Sequence, residues 1–393
     1  MPVGGWLTRR LLTVTLVAAC LYVSARWSQS PEWPHLRHVS QAYAWVGSLL
    51  VLILAWYEFL PVSVALAWML AGLVLFELGN SWRSWSLRLQ GYLALLAAFV
   101  RMFYVNLNAA GYPGQLSPRF YTVLPLAAAF FYVYWRLDWS REEELQRDRR
   151  LFAGETFCFC AIIAVAGLMR FELNADYVSM AWAALTAVLL VASWRFNKPI
   201  FLHQGLLLGA GVLFRCLLHN IYERTYFPGP LWHGRTFTVG VTVALLLAGL
   251  PFAFRLRQVG AAGPDGAEEA EKPAKRLARV LSPVVRRPDQ IFFYFPITLL
   301  TVLLAVEMRR GLVTLAWGVE AVCIFGFALW VKERSFRLTG LGLLLVCVAK
   351  IVVIDVWSLQ PSDRYLTFVV LGIALLGVSF LYTRYRETLR HYL

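Results

Sequence analysis

The chain has 393 residues, of which 59% are hydrophobic and 15% charged, with sixteen Trp and a formal net charge of +14. A soluble domain carries roughly 25% charged residues, so this composition, with a mean hydropathy of +0.60, excludes one and points to a bilayer. The basic excess gathers in the loops on one side of the apolar stretches, and no nucleic-acid partner is expected.

In chain order, thirteen apolar segments are long enough to cross, at about 9–26, 40–58, 62–79, 86–106, 119–136, 152–170, 177–194, 199–219, 236–255, 291–308, 312–331, 337–357 and 365–383. A spanning helix needs roughly 17–25 such residues. The first segment, which begins at Arg9 and Arg10 and ends at Val23, Ser24 and Ala25, also has the pattern of a cleavable signal peptide. The charge distribution argues for its retention. With the C-terminus in the cytoplasm, inner loops hold twenty-five of the thirty-seven Lys and Arg, against nine outside and three within the membrane. Thirteen crossings then leave the N-terminus outside; an interfacial first segment with twelve crossings is the alternative. All six cysteines fall in apolar segments and read as small buried side chains.

Three stretches carry the same residues at the same offsets. Glu58, Trp68, Gly91 and Arg101 recur as Glu172, Trp182, Gly205 and Arg215, and again as Glu307, Trp317, Gly340 and Lys350. Five residues beyond each basic residue stands Asn106, Asn220 or Asp355, and further on come Arg119, Arg235 and Arg364, each followed three residues later by threonine. A period of about a hundred residues marks duplicated units. Each copy holds an even number of crossings, so all copies share one orientation. The expected fold is an all-α, polytopic integral membrane protein with about 13 transmembrane helices, built from three parallel four-helix repeats plus an N-terminal helix. Residues 1–37 form the N-terminal transmembrane or interfacial helix, 38–137 the first repeat, 138–150 a cytoplasmic connection and 151–257 the second repeat. A cytoplasmic linker follows at 258–290, then the third repeat at 291–386 and a tail at 387–393.

Within the linker, Leu277, Val280, Leu281 and Val284 recur at helical spacing among Lys275, Arg276 and Arg279. A basic amphipathic helix on anionic lipid headgroups fits this pattern; a solvated tether fits it equally.

The intramembrane charges are the candidate site. Arg101, Arg215 and Lys350 fall in the outer half of the hydrocarbon, where each costs about 2.5–3.5 kcal/mol on insertion scales and needs a partner. The preferred pairing joins each to the glutamate of its own repeat: Glu58 with Arg101, Glu172 with Arg215 and Glu307 with Lys350. Arg119, Arg235 and Arg364 would extend each pair. Five residues rotate an α-helix by about 500°, which separates Asn106, Asn220 and Asp355 from the basic residue before them. Asn106 and Asn220 read instead as left-handed helix C-caps. The third repeat departs most, with Lys350, Asp355 and an intramembrane Glu320; with Glu307 these compose a candidate proton or ion relay. Glu77 is expected to pair with Arg83 or Arg88. No catalytic triad, phosphate-binding loop or metal-ligand spacing is present in the sequence, and no cofactor is implied.

From Thr314 to Tyr385, the residues Trp317, Glu320, Arg337, Gly340, Lys350, Asp355, Arg364, Leu381 and Tyr382 resemble the C-terminal pattern of a bacterial polytopic membrane family, domain of unknown function 2339. The resemblance covers the third repeat, about a fifth of the chain; the first two repeats fit it more loosely, without the Lys and Asp. The sequence does not show the long soluble N-terminal extension common in that family. The resemblance implies a bacterial cytoplasmic membrane and supports the fold, and any role of the family's Lys and Asp would fall on Lys350 and Asp355.

Three functions follow as expectations. The first is a transporter-like protein handling an anionic or lipid-linked cell-envelope substrate through an outer-leaflet basic cluster. The second is a non-catalytic structural or assembly subunit of an envelope complex. The third, an enzyme on a lipid-linked substrate, is weakened by short outer loops that are poor in acidic and histidine groups.

Overall fold

The computed structural model describes residues 2–3, 7–28, 37–109, 116–139, 145, 148, 151–223, 234–261, 287–309, 312–355, 357 and 361–384. The expectations for the linker, including Lys275, Arg276 and Arg279, for most of the 138–150 connection and for the tail fall outside them. So does the side chain of Arg364.

Thirteen helices are described, and the fold is all-α. They are α1 (Arg9–Trp27), α2 (Arg37–Glu58), α3 (Val64–Ser81), α4 (Trp85–Arg101), α5 (Pro118–Trp139), α6 (Ala153–Glu172) and α7 (Val178–Phe196). There follow α8 (Pro199–Arg215), α9 (Arg235–Ala261), α10 (Pro288–Glu307), α11 (Val313–Val331), α12 (Arg334–Lys350) and α13 (Pro361–Arg384). Twelve are long and apolar enough to span a membrane, and α13 contains a shorter apolar run, Phe368–Phe380. Four helices, α5, α8, α10 and α13, open on proline, whose missing N–H costs nothing in the first turn. Thr8 caps α1 by accepting from the Leu11 amide at 3.1 Å.

Three interhelical turns share one device. Arg83, Asn197 and Lys332, which follow the ends of α3, α7 and α11 respectively, take left-handed backbone with φ of 52°, 53° and 63°. Each reverses the chain in a few residues, so that α3 packs along α4, α7 along α8 and α11 along α12.

The chain divides into two compact units, Met1–Ala175 and Asp176–Leu393, and the division falls between α6 and α7, inside the second sequence repeat. In the first unit α1 packs on α2 and α5 on α6. Its core gathers Phe76, Leu95, Met102, Phe130 and Phe157 from α3 to α6. In the second, α9 packs on both α7 and α10, and α13 on α11; Phe292, Phe293 and Phe336 fill one core, with Phe293 and Phe336 stacked at 3.8 Å. Leu345, Val353 and Leu376 are among many exposed apolar side chains, as expected where the solvent is hydrocarbon. Cys20 and Cys323 are also exposed, against the expectation of burial, while Cys158, Cys160, Cys216 and Cys347 are buried.

Two of the three repeated glycines sit where helices touch. A Cβ on Gly91 would lie 2.8 Å from the Gly72 carbonyl oxygen and 2.8 Å from the Phe76 nitrogen. One on Gly340 would lie 3.0 Å from both the Ala321 oxygen and the Phe325 nitrogen. At Gly205 the nearest atom is 3.7 Å away. Small residues let membrane helices approach closely, so one substitution has different consequences at the three positions. Gly91→Ala is expected to destabilise by about 1–3 kcal/mol, Gly340→Ala by less, and Gly205→Ala to be neutral. Thermal unfolding of the three variants in one detergent checks the order.

Candidate functional site

Helix ends determine where the charges go. Because α5 packs on α6 and α9 on α10, the first residues of one helix lie beside the last residues of its neighbour. Arg119 thus meets Glu172 (Nη1 to Oε2, 3.6 Å) and donates to the Phe171 carbonyl at 2.6 Å. Arg235 meets Glu307, with Nη2 2.9 Å and Nε 3.1 Å from Oε2. At the start of the chain α1 packs on α2, and the Thr8 hydroxyl donates to Glu58. These contacts correct the expected pairing inside each repeat: the glutamate closing a repeat's first helix is met by the helix before it in the chain.

The basic residues that were assigned to those glutamates are held otherwise. Arg101 donates to the Pro61 carbonyl at 3.0 Å and lies over two indoles, 4.1 Å from the Trp56 centroid and 5.6 Å from that of Trp68. Arg215 lies 5.9 Å from the Trp182 ring. The indoles themselves are anchored: Trp68 donates to the Leu52 carbonyl at 2.9 Å, and Trp317 to that of Thr301 at 3.0 Å. A guanidinium over Trp gains about 0.5–2 kcal/mol, more as water is excluded.

Directly after Arg101, Arg215 and Lys350 the backbone widens into π-helix, at Met102–Asn106, Cys216–Glu223 and Ile351–Asp355. This overturns the geometric argument that separated the basic residue from its fifth neighbour, since π-helical hydrogen bonding joins residues five apart. Lys350 Nζ lies 2.8 Å from Asp355 Oδ1 and 3.1 Å from Oδ2. Thr314 completes a cluster, donating to Asp355 at 2.5 Å and accepting from Lys350 at 2.6 Å. The asparagines are not left-handed caps. Asn106 donates to the Val62 carbonyl at 2.7 Å, and Asn220 to the Asp176 carbonyl at 2.9 Å and the Thr238 hydroxyl at 3.1 Å. Ser179 in turn donates to Asn220 at 2.7 Å. Each carboxamide ties a π-turn to the start of the preceding hairpin.

The four members of the expected relay are divided among three groups. Glu307 is with Arg235, Lys350 with Asp355 and Thr314, and Glu320 with Thr301, whose Oγ1 lies 2.8 Å from Oε1. Glu77 is corrected too: it accepts from Tyr132 at 2.8 Å and lies 3.7 Å from Arg136. Arg88 pairs instead with Asp148 at 2.8 Å, an aspartate that also accepts from Tyr92 at 2.8 Å. Asp148 is fully buried, although the sequence places it in a cytoplasmic connection. In the second unit Arg257 plays a similar part, lying 3.2 Å from buried Asp289 and donating to Glu333. The demand of Arg88 for a partner was the only signal pointing to Asp148.

Sequence reading also missed the groove. Helices α9, α10 and α11 enclose a space of about 910 Å³, lined by apolar side chains such as Leu250, Phe254, Ile297 and Leu300, with Glu320 in its wall. Val319 and Trp330, also on that lining, are exposed, so the space opens on the outer face of the helices. No single apolar position announces such a groove, because its walls come from three helices.

The Lys350–Asp355 contact yields a measurable coupling. Asp355 is buried and Lys350 nearly so, with side-chain exposures of 3% and 19%. Removing one partner of a buried pair costs about 3–5 kcal/mol, so Asp355→Ala is expected near the lower end of that range. Combining it with Lys350→Met is expected to restore part of the loss, read from unfolding of both variants in detergent.

Neither the curated proteins nor the solved structures provide a match. Residues 4–385 match the family described as Predicted membrane protein (DUF2339), far beyond the third repeat on which the resemblance first rested, and the chain belongs to that family.

Proposed function

We propose that this protein is transporter-like and non-enzymatic, and that it takes a lipidic cell-envelope molecule from the bilayer into the groove of α9, α10 and α11. The observation that carries this reading is the groove itself. Its volume of about 910 Å³ falls within the roughly 300–1,000 Å³ usual for small-molecule sites, and its apolar walls suit a hydrocarbon chain. A bacterial cytoplasmic membrane with the C-terminus inside agrees with the charge distribution of the loops.

In this reading the outer basic residues hold helices together rather than forming one anion pocket. Arg119, Arg235 and Lys350 already face carboxylates, and Arg101 faces two indoles and a carbonyl. The same pairings favour a second reading, a structural or assembly subunit of an envelope complex, in which the groove receives no exchanging ligand.

Filling the groove separates the two. Ala316 lines it on α11, and Ala316→Trp is expected to lower the lipid that co-purifies in mild detergent, quantified by mass spectrometry, by about tenfold. Unchanged lipid content in a folded variant rejects the transport reading.

A further inference from the structure

The groove is apolar but for one acid, and that acid is incompletely satisfied. Glu320 is 6% exposed, and its Oε2 has no hydrogen-bond partner among the described residues. Its other oxygen faces Thr301, whose Oγ1 also lies 2.9 Å from the Ile297 carbonyl. One hydroxyl hydrogen serves only one of these acceptors at a time. A buried carboxylate oxygen left without a partner is destabilising, and a ligand that donates to it removes that penalty. Glu320 is seven residues from the start of α11, about 10 Å into the helix at 1.5 Å per residue. A ligand group reaching it leaves the headgroup region behind.

We propose that Glu320 anchors an uncharged long-chain lipid through a free hydroxyl, with the hydrocarbon chain of that lipid lying along the apolar walls of the groove. The inference rests on the groove-binding reading above and names its ligand class. A hydroxyl suits the site in either state of the acid, because it donates to a carboxylate and accepts from a carboxylic acid. An ammonium headgroup would have to shed its hydration to reach this depth, a cost that pairing with a single carboxylate does not offset. A phosphate would add a second negative group beside the carboxylate, and the described groove lining contains no Lys or Arg to receive it. The parallel positions Ala71 and Leu185, each three residues after its tryptophan, are apolar, which confines the site to the third repeat.

The test compares two photoactivatable probes in phosphatidylcholine nanodiscs: a diazirine-bearing hexadecanol and the matching hydrocarbon without the hydroxyl. The alcohol is expected to label α10 and α11 about tenfold more than the hydrocarbon. Glu320→Leu is expected to abolish that preference, and Glu320→Gln, which keeps a donor and an acceptor, to retain it. If wild-type protein is labelled equally by both probes, the groove binds chains but the role of Glu320 is overturned. If neither probe labels it, the groove-binding reading falls and the inference with it. The comparison of probes on wild-type protein decides the matter even where Glu320→Leu fails to fold.

Discussion

Hydrocarbon does not solvate charge, and the arrangement of this protein follows from that constraint. A guanidinium or ammonium inside the bilayer has to find an acceptor within its own reach, and the closest acceptors belong to the end of an adjacent antiparallel helix. Arg119 finds Glu172 and Arg235 finds Glu307 because α5 lies on α6 and α9 on α10. Arg88 and Arg257 solve the same problem with buried aspartates drawn from outside the helices they sit on, Asp148 and Asp289. The Arg119–Glu172 and Arg235–Glu307 contacts fix the relative height of two helices as well as neutralising a charge.

The π-turns after Arg101, Arg215 and Lys350 extend the same logic. Such a turn leaves some backbone groups poorly aligned and persists where tertiary contacts favour it. Here the favouring contacts are those of the fifth residue of each turn: Asn106 to Val62, Asn220 to Asp176 and Ser179, Asp355 to Thr314 and Lys350. The third turn carries a Lys–Asp pair, and it stands in the same unit as the groove. Glu320 is not part of that cluster, which leaves it available to a ligand.

Much of the fold was legible because hydrophobic runs report helices directly. The offsets of Trp, Gly and the basic residue also pointed to real local features: anchored indoles at Trp68 and Trp317, close contacts at Gly91 and Gly340, and widened turns after each basic residue. What sequence periodicity does not report is which neighbour a helix has chosen. Glu58, Glu172 and Glu307 were therefore assigned to the wrong partners, and Lys350 and Asp355 were separated by assuming ideal α-helical rotation. Asp148 was hidden for another reason, since a charged residue in a polar connection carries no sign of burial. Glu320 was visible as an intramembrane acid, but the groove beside it depends on three helices converging.

The claim that helix-end charges are held across neighbouring helices is tested most directly at Arg235 and Glu307. Arg235→Glu and Glu307→Arg each place like charges together and are expected to lower the yield of folded, monodisperse protein, while the double exchange restores it towards the wild-type level. A double exchange no better than either single variant, or single variants as stable as the parent, would contradict the account.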